Sequence, residues 1–183
     1  MIRAHITIAR HNCVLWRLVR AILATLSLSN EENIATHKQI PTDFDKDPRV
    51  IIKVRQGVTI YGNSEVPYFD DARRPDIVFI NEQSKIAYIV DVTVAVEDTI
   101  RAFDSAREER MTRYANLKTI LEKEGFKVHL DAFVMGAFGS FDPNNAHFLK
   151  VLALPPMHME MLIRFLCSQM SQYAYQMYST YLA

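Results

Sequence analysis

Residues 73–94 read RRPDIVFINEQSKIAYIVDVTV. Two runs of strand-forming residues, 77–80 and 86–94, flank a polar turn at residues 81–84, the pattern of an antiparallel hairpin. Each run holds an aspartate: Asp76 heads the first, and Asp91 interrupts the second. A carboxylate within a buried strand is costly unless it is paired or binds a metal. Side chains alternate between the faces of a strand, so Ile89, Asp91 and Thr93 share one face, and Tyr88, Val90, Val92 and Val94 the other. In an antiparallel pair closed at 81–84, Asp76 falls near the level of Asp91.

Outward from this hairpin the chain alternates strand and helix signals. Upstream, residues 50–62 predict a strand, a bend at Gly57 and a second short strand. The polar, proline-containing stretch from residue 30 to 48 reads as a loop with one helical turn. Residues 13–28, CVLWRLVRAILATLSL, are apolar, but the run is too short to span a membrane and is interrupted by Arg17 and Arg20. Leu15, Leu18, Val19, Ile22 and Leu26 instead fit one face of a core helix ending near Ser29 and Asn30. Downstream, Asp98 or Thr99 caps a predicted helix to Glu124, with Gly125 as the stop. Residues 127–135 predict another strand, 136–145 a turn-rich loop, and about 156–181 a last helix. The expected class is α/β, a mixed central sheet flanked by helices.

Composition sets limits on function. At 183 residues and 49% hydrophobic composition, the chain fits one domain with a full core. Its 21 basic and 21 acidic residues cancel, so any contact with nucleic acid rests on a local basic patch. Cys13 and Cys167 lie too far apart in sequence for a Cys-X-X-Cys motif, which argues against a disulfide framework or Cys-based zinc finger and suits a reducing compartment. Five glycines and seven prolines leave little room for low-complexity linkers. His5, His11, His37, His129, His147 and His158 show no zinc-ligand spacing.

Two carboxylates at a sheet edge suit a hard cation, because Mg²⁺ takes one or two carboxylates plus waters and phosphate oxygens. The plainer alternative is that Asp76 caps a turn and Asp91 pairs with an arginine. At 100° per residue, Val96, Ile100, Phe103, Arg107, Arg110, Tyr114, Leu117 and Leu121 fall on one helix face, expected to pack inward. Arg107 and Arg110 then point at the sheet and need anionic partners, with Asp91 a candidate. They read either as structural ion pairs, with snorkelling as a further option, or as cations lining a phosphodiester pocket.

RPD at 74–76, a spacer of 14 residues, DVT at 91–93 and RMTRY at 110–114 together resemble the PD-(D/E)XK nucleases. More narrowly, they are similar to the restriction-like endonuclease domain of site-specific non-LTR retrotransposons that insert into ribosomal RNA genes. RHNCVL at 10–15 resembles the Arg-His-Asn/Asp segment opening that domain, and VMGAFGSFDPNN at 134–145 its Gly-rich loop. The resemblance covers nearly the whole chain. It implies one restriction-endonuclease-like domain over 1–183, with an N-terminal helical part (1–48), a nuclease core (49–153) and a C-terminal helix (154–183).

The resemblance also implies a Mg²⁺- or Mn²⁺-dependent DNA endonuclease of nuclear location, with RNA as an alternative ligand and no membrane association. Asp76 and Asp91 would bind the metal, with the Val92 carbonyl as third ligand. Tyr114 would match the family's helix tyrosine and Arg110 would steady phosphate charge. Arg10, His11, Asn12, Arg73, Arg74, Arg107 and Arg113 would face nucleic acid. The family's helix lysine is absent: Arg110, Met111 and Arg113 stand there, and an arginine cannot surrender its proton as a base. An inactive, domesticated nuclease fold that binds nucleic acid or protein is therefore the second expectation. The chain holds neither the zinc knuckle nor the reverse transcriptase of such elements, so an excised domain, a truncated element and a host protein are all open readings.

Two further patterns invite a reading. Arg3, Arg10 and Arg17 recur every seven residues, as a solvated stripe or a phosphate-tracking one. Tyr173, Tyr175, Tyr178 and Tyr181 suit packing or an oligomer interface better than base stacking.

Overall fold

The computed structural model describes residues 2–26, 49–54, 57–69, 72–152 and 154–182. The expected loop over 30–48, the end of the first helix near Ser29 and Asn30, and His37 lie outside the described residues. The elements run α1 (Ile2–Leu26), β1 (Val50–Val54), β2 (Val58–Gly62), β3 (Ile77–Asn81), β4 (Ile86–Ala95), α2 (Ala102–Lys123), β5 (Lys127–Gly136), α3 (Asn145–Val151) and α4 (Pro156–Leu182). Strands β1 to β4 form an antiparallel meander, and β5 joins β4 in parallel, giving one five-stranded mixed sheet in sequential order. A parallel neighbour needs a crossover, and α2 supplies it.

Local chemistry fixes the turns. Gly57 takes φ +73° between β1 and β2, a region open to glycine at little steric cost. Between β3 and β4, Asn81 Oδ1 accepts hydrogen bonds from the backbone N–H groups of Gln83 and Ser84, both at 3.0 Å. Helix α2 ends as its sequence predicts. Gly125 takes φ +84°, its N–H donates to the Glu122 carbonyl, and Phe126 N–H donates to Leu121. That is the Schellman arrangement, completed by Phe126 and Leu121 packing in the same cluster.

Helices cover both faces of the sheet. On one face Leu15, Leu18, Val19 and Ile22 of α1, with Leu166 and Met170 of α4, bury Ile52, Ile60, Ile77, Val90, Val92 and Phe133. On the other, Tyr114, Leu117 and Leu121 of α2 cover Val78, Ile80, Ala87 and Ile89. Strand β4 thus alternates as expected, and Asp91 belongs to the α2 face. Among the described residues no helix is long and apolar enough to cross a membrane.

Three sequence expectations change. Helix α2 starts at Ala102 rather than at a cap on Asp98 or Thr99, and Arg101 at its N-cap makes no side-chain capping bond. Val96 and Ile100 consequently lie on the connection out of β4 and are exposed instead of packing inward. Helix α3 starts at the last residue of the expected loop and runs on to Val151, where the sequence carried no helix signal. It is only seven residues long and offers too few apolar positions for a periodic signal.

Trp16 is fully buried, and its ring lies against Gly62 at the end of β2. A Cβ at residue 62 would meet the ring at 2.9 Å. We expect Gly62→Ala to destabilise the protein by about 1–3 kcal/mol, because a fully packed indole cannot withdraw without disturbing its neighbours. Urea denaturation of the variant, alone and combined with Trp16→Phe, checks this. The smaller ring should recover part of the loss, a coupling that independent sites would not show.

Candidate functional site

The β3–β4 register decides where the two carboxylates stand. Ile77 pairs with Val90, so one step further Asp76 falls level with Asp91. The chain entering β3 is pinned at several atoms. Tyr114 Oη donates to the Arg74 carbonyl at 2.8 Å. Asn63 N–H donates to the Asp76 carbonyl at 2.9 Å. Val92 N–H donates to Asp76 Oδ2 at 2.6 Å, and His11 Nε2 donates to the same oxygen at 3.0 Å. With Oδ2 doubly engaged, Asp76 keeps Oδ1 for other contacts.

Asp91 is 3% exposed and Asp76 9%. Asp91 Oδ2 is buried without a hydrogen-bond partner; the Arg110 guanidinium stands 3.5 Å from it. Burial and the Asp76 charge push the Asp91 carboxyl up to about 7, against the pull of Arg110 and His11. His11 moves upward too. Burial opposes its charged form, but the hydrogen bond and charge of Asp76 outweigh that and raise it to about 9. Its other nitrogen, Nδ1, lies 3.2 Å from Asn12 Oδ1. Both ring nitrogens face acceptors, an arrangement that suits the imidazolium, where both are donors. Burial and the charges of Asp91 and Asp76 also raise Tyr114, so its phenol stays a donor.

Around this pair lies a cleft of about 280 Å³. Helix α1 contributes Thr7, Arg10 and His11, the entry to β3 Arg74 and Asp76, β4 residues 91 to 94, and α2 Arg110, Arg113 and Tyr114. Five basic side chains therefore face two carboxylates in a chain whose formal net charge is zero. The Nε atoms of Arg10, Arg74 and Arg110 are buried with no acceptor. Arg74 is held by Glu65 at 2.8 Å and Arg113 by Glu109 at 3.1 Å.

Not every candidate residue reaches the cleft. Asn12 is buried behind His11, and Arg73 is exposed outside the lining. Arg107 turns away from Asp91. One terminal nitrogen donates to Asp131 and the Ala132 carbonyl, the other to Asp142 at 2.6 Å and Asn145 at 2.9 Å. Asn145 in turn exchanges hydrogen bonds with the backbone of Val134. Arg107 thus ties α2 to β5 and α3 as a structural ion pair. The heptad-spaced arginines do not form one solvated stripe either: Arg10 is buried at the cleft, and Arg17 stacks over the Phe165 ring at 4.1 Å.

Sequence reasoning assigned no site role to Thr7 or Thr93. Thr7 shares a helix face with Arg10 and His11 at i, i+3 and i+4, and Thr93 shares the strand face of Asp91. Both spacings were available as signals. The bond between His11 and Asp76, 65 positions apart, had none.

The donors present suit a small hard cation. Among the described residues no group of three or more His, Cys, Asp and Glu side chains is placed to hold a metal. A cation here would take two carboxylates and complete its shell with the Val92 carbonyl and water, as Mg²⁺ readily does. The unpartnered Asp91 Oδ2 is the atom that such an ion would satisfy. No protein-family model matches the chain, and no curated protein matches its sequence.

Two predictions follow from these charges. Asp142 is 1% exposed, so Arg107→Met strands a buried carboxylate and should cost about 3–5 kcal/mol in denaturant unfolding. The second concerns pH in metal-free protein. Asp91 and His11 both hold protons more tightly folded than unfolded. The Asp91 contribution declines as pH rises towards about 7, and that of His11, complete below about 6.5, is lost as pH passes about 9. Thermal stability should therefore fall from pH 5 to 9. Asp91→Asn should flatten the lower part of the curve, and His11→Gln the upper part.

Proposed function

We propose that the protein is a divalent-cation-dependent DNA endonuclease of the PD-(D/E)XK type, with Asp76 and Asp91 as its metal-binding acids. One observation carries the reading. Two buried carboxylates converge at the end of paired strands, one oxygen lacks a hydrogen-bond donor, and five basic side chains surround them. Arg74 and Arg113 are held by exposed glutamates, and Arg10 keeps a buried Nε without an acceptor. A phosphodiester, anionic and flanked by further phosphates, has the matching charge.

In this reading each wall of the cleft has a task. Asp76, clamped through Oδ2 by His11 and Val92, presents Oδ1, and Asp91 presents its unpartnered Oδ2. A bound Mg²⁺ or Mn²⁺ supplies charge neutralisation at the phosphate and a lowered pKa for water. Arg110 lies beside Asp91 and balances its charge before substrate enters. Placed 3.5 Å from Asp91, the Arg110 guanidinium would also be positioned to meet negative charge developing on phosphate. Arg10, Arg74 and Arg113 bind neighbouring phosphates. Tyr114 holds the chain before Asp76 through the Arg74 carbonyl and stays outside the bond-breaking step.

Plasmid nicking tests the reading. Wild type should relax supercoiled DNA with Mg²⁺ or Mn²⁺, and Asp91→Ala should not. Arg110→Ala should lower kcat about 10²–10³-fold, the usual loss of one transition-state donor. A second reading, a nuclease fold kept for nucleic-acid binding alone, draws on the absence of lysine from the described cleft lining. It predicts salt-sensitive DNA binding with no cleavage in either protein.

A further inference from the structure

The Gly-rich loop after β5 presents an exposed aromatic side chain from a backbone fixed on both sides. Phe138 is 66% exposed. Its N–H donates to Glu97 Oε2 at 3.1 Å, and its carbonyl accepts from Ser171 Oγ of α4 at 3.0 Å. Two glycines make this possible. A Cβ at Gly136 would meet Glu97 Oε1 at 2.0 Å, and Gly139 turns the chain at φ +108° against α4. An apolar ring in water gains nothing for folding, and four elements of local structure hold this one there.

The loop adjoins the cleft. Ala95 of β4 is level with Gly136 and its carbonyl accepts from Ala137 N–H at 2.7 Å. Glu97, which anchors Phe138, also attracts Arg10 of the cleft wall. Along β4, Asp91 and Ala95 lie roughly 13 Å apart at 3.3 Å per residue.

We propose that Phe138 is a stacking platform for an unpaired base of the nucleic acid whose backbone runs through the cleft. The proposal rests on the nuclease reading and adds to it a substrate class: DNA with an unstacked nucleotide near the cut. Aromatic side chains take such bases without regard to sequence, since every base offers a π-face. The arginines of the cleft provide the charge that brings the strand to the ring.

The test uses the full chain with a DNA duplex containing a short single-stranded gap, 2-aminopurine in the gap, and Ca²⁺ in place of Mg²⁺. Wild type should change the 2-aminopurine fluorescence on binding. Phe138→Ala should abolish that change and weaken gapped-DNA binding by roughly five- to a hundredfold, while leaving fully paired duplex unaffected. Phe138→Trp should retain the signal. Phe138→Ala behaving as wild type on gapped DNA overturns the platform but leaves the nuclease reading intact if plasmid is still nicked. Wild type that neither binds nor cuts any DNA overturns both. A wild-type dimer in sedimentation that Phe138→Ala dissolves overturns the platform in favour of a contact between two copies.

Discussion

The structure depends on the pairing of β3 with β4. That register brings Asp76 level with Asp91 and lets the Asp76 side chain accept the Val92 N–H at the point where the ladder stops. A one-residue slip of either strand would turn its aspartate to the opposite face. The β3–β4 turn, in which Asn81 Oδ1 accepts from the N–H groups of Gln83 and Ser84, sets that register.

The cost of two adjacent buried carboxylates is met by charge drawn from distant parts of the chain. His11 comes from α1, Arg110 from α2 and Arg74 from the entry to β3. The compensation is incomplete at Asp91 Oδ2, which has a guanidinium near it but no hydrogen bond. Arg107, three residues before Arg110 on the same helix, shows the contrast. Its partners surround it closely, and it serves the fold. One helix face thus carries a structural arginine and a cleft arginine, distinguished only by which strand end each reaches.

Much of the fold was legible in the order of residues. Alternation predicted which side chains of β4 share a face. Gly57 and Gly125 announced their turns through a positive φ that few other residues adopt, and Asn81 through its side-chain oxygen. The aspartates stood out as charges in apolar strands. What stayed hidden has physical reasons. Helix α3 is held by Asn145 bonding to Val134 and by Arg107, long-range contacts that leave no periodic trace. The start of α2 depends on how far β4 runs before it leaves the sheet. The tyrosines of α4 divide: Tyr173 packs against the core, while Tyr175, Tyr178 and Tyr181 are exposed.

By itself the sequence determined the α/β class, the hairpin at residues 73–94 and the two acids that mark the site, because strand period, turn chemistry and the cost of a buried charge are local properties. Only the tertiary structure decided what those acids meet. It turned Arg107 away and Arg110 towards them, and it brought His11 across 65 positions to Asp76. Such partnerships depend on where helices cross the sheet ends, and that follows from packing the whole core at once.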